Sequence, residues 1–169
     1  MNKNTEIEFA QLLEQHQNIL HKICRLYTVD SDSHKDLFQE IVIQIWKSYP
    51  KFRGDAKFTT WAYRIGLNTA ISLYRGSKRK ITTVDWDISL QNIKYEEYDS
   101  ETENQLKQLY AAVHLLNDIE KALVYMYLED KDYTEIAETL GITEVNARVK
   151  MNRIKTKIKE TIEKGGNIS

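Results

Sequence analysis

Between Phe52 and Lys80 the chain reads FRGDAKFTTWAYRIGLNTAISLYRGSKRK, and from Ala56 through Val84 it contains no Asp or Glu. Lys57, Arg64, Arg75, Lys78, Arg79 and Lys80 are all cationic there, in a chain whose formal net charge is −1. A basic, acid-free segment of that length is a local field rather than a drift in composition. Phe52, Phe58, Trp61, Tyr63 and Tyr74 interleave flat π-faces with those cations. Single-stranded nucleic acid uses that pairing. Cations neutralise phosphates, and each base that leaves a duplex gains about 1–3 kcal/mol by stacking on an aromatic ring. An amphipathic helix with a solvated basic side and aromatics in its core has the same composition, so the stretch alone leaves both readings open.

A second cluster supports the nucleic-acid reading. Between Glu144 and Glu160 stand six cations (Arg148, Lys150, Arg153, Lys155, Lys157, Lys159) and no acid. The preceding run YTEIAETLGIT places Ile136, Ala137, Leu140, Gly141 and Ile142 at the offsets of a helix-turn-helix. In that motif a small residue sits where two helices cross, a glycine supplies the left-handed turn, and an apolar residue plugs the core. In the helix that follows, Ala147, Met151, Ile154 and Ile158 form the inward face, and Asn146, Val149, Lys150 and Arg153 form the opposite one. A recognition helix needs base-reading side chains near its start and phosphate-binding cations around them. A basic surface helix in a protein-binding hairpin is the plainer reading.

Bond-making chemistry finds no support. The chain shows no His/Cys/Asp metal cluster, no Gly-rich phosphate loop and no nucleophile–base pair, so neither catalytic residues nor a cofactor or metal site is expected. Cys24 is the single cysteine, which excludes an internal disulfide and a multi-cysteine zinc site and fits a reducing cytoplasm. His21 and Cys24 stand three apart but lack further ligands, and are read as ordinary helix residues. The N-terminus lacks the apolar core of a signal peptide, and no apolar run approaches membrane-spanning length.

The elements that must position these clusters are helical. Thr5–Tyr27 carries Ile7, Leu12, Leu13, Ile19, Leu20, Ile23 and Leu26 at helical spacing. Ser33, with Asp36 three residues on, is expected to cap a second helix over Lys35–Tyr49, stopped by Pro50. That helix turns Asp36, Gln39, Glu40 and Gln44 outward. A third helix from about Phe58 to Arg75 repeats Thr60, Arg64, Asn68 and Ser72 every four residues, a polar stripe equipped to hydrogen-bond bases and phosphates. Residues 82–103 lose periodicity and turn acidic, which marks a linker. Ser100–Glu103 resembles a capping box, Asn117–Glu120 caps a further helix, and Asp132 caps the first helix of the helix-turn-helix. The expectation is an all-α chain of two small helical domains, residues 1–81 and 104–169, joined by an acidic linker, the second domain a helix-turn-helix.

Three segments, DLFQEIVIQIWKSYPKFRG, KFTTWAYRIGLNTAISLYR and YTEIAETLGITEVNARVKMNRIKTKIKE, resemble the bacterial extracytoplasmic-function sigma factors in order and spacing over nearly the whole chain. The TTWAYRIGLNTA block is the most specific part. The resemblance implies a non-enzymatic, cytoplasmic promoter-specificity factor without a small-molecule substrate. Its first domain would bind core RNA polymerase and the −10 element, and its second the −35 element. It implies that Asp36, Gln39 and Glu40 dock on the β′ coiled coil. Phe52, Arg64 and Asn68 would surround the flipped −10 base, with Trp61 and Tyr63 as strand-separating aromatics. Arg75, Lys78 and Arg79 would grip the adjacent backbone, and Arg148, Lys150 and Arg153 would contact the −35 element. The β flap, promoter DNA and an anti-sigma factor, often membrane-anchored, complete the implied partners.

The recognition helix departs from the family pattern. A Gly-Thr-Val-like triplet usually opens it, where this chain has Val145-Asn146-Ala147, and Val149 stands where a polar residue is common. Val149 is therefore expected to make apolar contact with a thymine methyl, beside Asn146. The alternative function is a stand-alone helix-turn-helix regulator with an N-terminal sensor or partner-binding domain. It would bind duplex DNA alone, typically as a dimer, and leave the aromatic–cationic block without a task.

Overall fold

A computed structural model of the chain describes residues 2–75 and 100–166. Lys78, Arg79 and Lys80, and nearly all of the acidic segment, lie outside these described residues. Every regular element among the described residues is helical. In chain order they are α1 (Lys3–Tyr27), α2 (Ser31–Ser48), a 3-10 turn (Tyr49–Lys51), α3 (Phe58–Tyr74), α4 (Ser100–His114), α5 (Asp118–Leu128), α6 (Tyr133–Leu140) and α7 (Glu144–Gly166). They fall into two compact units, one within Met1–Val84 and the other within Asp85–Ser169. The all-α, two-domain expectation holds.

In the first unit α1, α2 and α3 pack against one another pairwise. Leu20, Ile23 and Cys24 from α1, Leu37, Ile41 and Ile45 from α2, and Ala62, Leu67 and Ala70 from α3 make its core. Small residues recur every fourth position along the inner side of α3, at Ala62, Gly66 and Ala70. A Cβ at Gly66 would stand 2.8 Å from Ile23 Cδ1 and 3.5 Å from Ile41 Cγ2, so α3 sits closer to its neighbours than an alanine allows without displacement. The Cys24 thiol is fully buried, and burial pushes its pKa up to about 12, leaving it protonated and unreactive.

One sequence expectation is corrected here. Asp30, not Ser33, caps α2. Its carboxylate accepts from the Ser33 backbone N–H at 2.7 Å and from the Ser33 hydroxyl at 2.8 Å. The helix therefore begins at Ser31, and Ser33 is already its third residue. A carboxylate has two acceptor oxygens, so Asp30 satisfies both Ser33 donors at once, which a serine cap cannot do.

The α1–α2 contact also carries a polar pair that the sequence did not advertise. His21 Nδ1 and His34 Nε2 lie 2.9 Å apart, within hydrogen-bonding distance, and the His21 ring stacks on Phe38 at 4.4 Å. Burial first, then His21 and then Arg25 depress the His34 pKa from 6.5 to about 4. Burial and then Arg25 also lower that of His21.

In the second unit α4, α5 and α6 each pack against α7. Val113, Leu123, Met126, Ile136, Ala147, Met151 and Ile154 are its buried centre. The expected capping box is present at α5: Glu120 N–H donates to Asn117 Oδ1 at 2.9 Å, and Asn117 N–H donates back to Glu120 Oε2 at 3.1 Å. Asp132 caps α6 through the Glu135 N–H at 2.8 Å.

The His34 environment fixes a pH dependence. A group whose folded pKa is depressed holds its full stabilising contribution above the unfolded value and loses it as the pH falls toward the folded one. The first unit is therefore expected to lose stability between pH 6.5 and about 4, by on the order of 2–3 kcal/mol from this group. Chemical denaturation followed by Trp fluorescence checks this, and His34→Gln should flatten the profile in that window.

Candidate nucleic-acid interface

The first unit offers two adjoining surfaces. One is an aromatic cluster where the 3-10 turn and the following loop fold against the start of α3. Gly54 adopts φ 76° in that loop, a left-handed conformation that glycine takes without steric cost. Phe52 is half-buried there, its ring 4.8 Å from that of Trp61, 6.0 Å from Phe58 and 6.2 Å from Tyr49. Trp61 is likewise half-buried and lies 5.8 Å from Phe58. Both rings thus keep part of their surface in solvent while the rest is wedged in place. Tyr63, expected to share the exposed role of Trp61, is instead core. It is 3% exposed on the inner side of α3, so its ring face is already covered. The physical reason is helical phase: two positions beyond Trp61, a side chain points about 200° away from it.

The second surface is a groove of about 450 Å³ between α2 and α3. Glu40, Gln44 and Ser48 form one wall, and Asn68, Thr69 and Ser72 the other, with Ile65 and Leu73 as apolar floor. Gln44 Nε2 donates to Glu40 Oε1 at 2.7 Å, and Thr69 Oγ1 donates to the Ile65 carbonyl at 2.7 Å. The Asn68 amide is exposed at this groove. Of the polar stripe, Asn68 and Ser72 are exposed while Thr60 and Arg64 are half-buried. Arg75 is exposed just past the end of α3. The outward set on α2 divides. Asp36 and Gln39 are exposed, whereas Glu40 is half-buried and turned into the groove beside Asn68. Sequence reasoning placed Gln44 outward and missed Ser48 and Thr69. The Glu40–Gln44–Ser48 spacing of four was the signal that could have joined them into one wall.

In the second unit, Gly141 closes α6 in the left-handed conformation with φ 68°, and the Ile142 N–H donates to the Ala137 carbonyl at 3.1 Å. Ile142 is half-buried rather than fully enclosed. Thr143 caps α7 by accepting from the Asn146 N–H at 3.1 Å, and the Thr134 hydroxyl donates to Glu144 Oε1 at 2.7 Å, tying the two helices across the turn. Ala147, Met151 and Ile154 face the core as expected. On α7, Asn146, Arg148, Val149 and Arg153 are exposed and Lys150 is half-buried.

The cations of α7 are not equivalent. The Arg148 guanidinium lies 4.6 Å above the Tyr133 ring and 3.8 Å from Glu144 Oε2. Lys155 lies 4.6 Å above the Tyr127 ring, and hydrogen bonding to Tyr127 raises its pKa. Lys157 pairs with Glu120 at 2.7 Å. The later lysines thus lean back onto their own domain. Beside them runs an apolar groove of about 510 Å³, lined by Leu109, Val124, Leu128, Met151, Ile158 and Ile162, among others. Among the described residues no group of three or more His, Cys, Asp or Glu is placed to hold a metal ion. No helix among them is long and apolar enough to cross a membrane.

Comparison with known proteins bears on both units. Residues 12–80 match the family model for sigma-70 region 2, and residues 106–158 match that for sigma-70 region 4. The extracytoplasmic-function RNA polymerase sigma-E factor of Haemophilus influenzae is 25% identical over 166 residues, covering 92% of this chain and 87% of its own. The RNA polymerase sigma-H factor of Pseudomonas aeruginosa is 27% identical over 165 residues, covering 90% and 84%. Among solved structures, the sigma factor RpoE of Bartonella quintana, in complex with the anti-sigma factor NepR, aligns with a TM-score of 0.69 at 16% identity, covering 92% of this chain and 97% of that one. CnrH in complex with the cytosolic domain of CnrY aligns at 0.64 and 18% identity, covering 94% and 89%. At those identities the two structures speak for the fold.

The turn between α6 and α7 yields a direct test. Nothing lies within 4 Å of a Cβ built on Gly141, so Gly141→Ala would cost only the left-handed backbone, about 1–2 kcal/mol. Hydrogen exchange should show α6 and α7 amides losing protection by that amount, with Gly141→Asn losing less.

Proposed function

This chain belongs to the extracytoplasmic-function sigma factors, and from that premise we propose which of its surfaces does which part of promoter recognition and opening. Such a factor directs core RNA polymerase to promoters and takes part in initiation. The observation that carries the residue-level reading is that α3 holds both the half-exposed Trp61, paired with Phe52, and one wall of the polar α2–α3 groove, at which Asn68 is exposed. A base that leaves the duplex stacks on the aromatic cluster and hydrogen-bonds in the groove, while Arg64 and Arg75 neutralise the backbone beside it. Unstacking costs a few kcal/mol, which stacking, hydrogen bonds and polymerase contacts offset. Lys78 and Arg79 extend the same basic run in sequence.

Asp36 and Gln39, exposed on α2, dock on the β′ coiled coil of core polymerase. Glu40 sits at the boundary of that surface and the groove, so polymerase binding and base capture share one helix. In the second unit Arg148, Lys150 and Arg153 seat α7 in the major groove of the −35 element, with Asn146 and Val149 toward the bases. The adjoining apolar groove is offered to the β flap. The protein itself makes and breaks no bonds, works in the cytoplasm, and is held in check by an anti-sigma factor, as the similarly folded RpoE is bound by the anti-sigma factor NepR. The stand-alone regulator has no use for the aromatic cluster and groove.

The groove assignment is tested with holoenzyme on fork-junction probes, duplex at −35 and single-stranded on the non-template strand at −10. Asn68→Ala should weaken binding to the fork about tenfold, the weight of one or two lost hydrogen bonds to a base. Binding to a duplex carrying the −35 element alone should be unchanged. An equal loss on both probes would place Asn68 outside base capture.

A further inference from the structure

The first turns of α7 carry an apolar feature that phosphate binding does not use. Val145 is 69% exposed and Val149 is 41% exposed, and they are four residues apart on one helix. Helical geometry puts such a pair on the same face, one turn and about 6 Å apart. The α7 core face is already filled by Ala147, Met151 and Ile154, so neither valine is needed for packing. Around them stand Arg148, Lys150 and Arg153, with Glu144 3.8 Å from Arg148 and Asn146 exposed beside Val145. Two bare β-branched side chains within a cationic turn have no gain from facing water, and the surrounding charge selects a polyanion as what covers them.

We propose that Val145 and Val149 form a two-point reader of thymine C5-methyl groups in the major groove of the −35 element. This goes beyond the single Val149 contact and rests on the assignment of α7 to that element. The chemistry is specific: of the four bases only thymine presents a methyl group in the major groove, and short aliphatic side chains are its usual apolar partners. A spacing of about 6 Å against roughly 3.4 Å per base step selects thymines one or two steps apart, on either strand. Both positions lie where a recognition helix reads base edges, near its N-terminus. The motif assigns sequence preference to apolar contacts at two sites, with Asn146 as the polar reader between them.

The test removes the methyl groups and nothing else. Holoenzyme first enriches promoter duplexes from a pool randomised across the −35 window, and each enriched thymine is then replaced in turn by deoxyuridine. Two thymines no more than two steps apart should each lose about fourfold in affinity on losing the methyl, the weight of one buried methyl-sized group. In Val145→Ser one of those two penalties should vanish, and in Val149→Ser the other. Circular dichroism confirms that these exposed substitutions leave the fold intact. An enriched window without a thymine pair, a deoxyuridine effect below twofold, or penalties that persist in both variants would overturn the proposal while leaving the −35 assignment standing. No enrichment in the −35 window at all would overturn the assignment and the proposal together.

Discussion

The close approach of α3 to α1 and α2 is the constraint on which the first unit depends. Ala62, Gly66 and Ala70 make a spine of small residues, and at Gly66 even a methyl group would meet Ile23 at 2.8 Å. Beside this packed face, the α2–α3 junction carries a groove with polar walls. The same packing buries Tyr63 and leaves Asn68 outside. A helix that supplies both a core face and a binding face cannot alter its depth without moving both. Two packed helices form the groove, and in the proposed base capture this would keep the entropic cost of ordering it low.

The second unit solves a different problem with the same economy of parts. A helix presented to DNA must be held firmly while its cations stay available. Thr134 and Tyr133, at the start of α6, bind Glu144 and Arg148 at the start of α7, fixing the angle between the two helices by polar contacts across the turn. Arg148 is thus pre-oriented on an aromatic ring, and in its proposed role it would exchange part of that contact for phosphate. Lys155 and Lys157, like Arg148, make contacts within their own domain, and the Glu120 carboxylate partly neutralises Lys157.

Much of this was legible in the chain itself. Periodicity and capping residues locate the helices, and Gly141 with its apolar neighbours marks the helix-turn-helix. What the sequence could not resolve was phase and pairing. Tyr63 looked like a partner for Trp61 because both are aromatic, but two residues on a helix face opposite ways. Ser33 looked like a cap because Asp36 follows it, yet Asp30 competes with a better acceptor pair. Glu40 reads as one of an outward set on α2, and only the placement of α3 turns it into the groove wall. The His21–His34 pair is separated by thirteen residues and has no local signature, so only tertiary structure joins it. The exposure of Val145 likewise depends on how α7 is rotated against α4, α5 and α6.

As a sigma factor, this chain confers promoter recognition on core RNA polymerase. Run-off transcription on fragmented genomic DNA from the source organism, with purified core enzyme and with or without this protein, tests it most directly. Discrete transcripts should appear only when the protein is present and should begin downstream of a shared pair of elements. Duplex binding by the protein without any polymerase-dependent transcript would contradict it and return the chain to the class of stand-alone regulators.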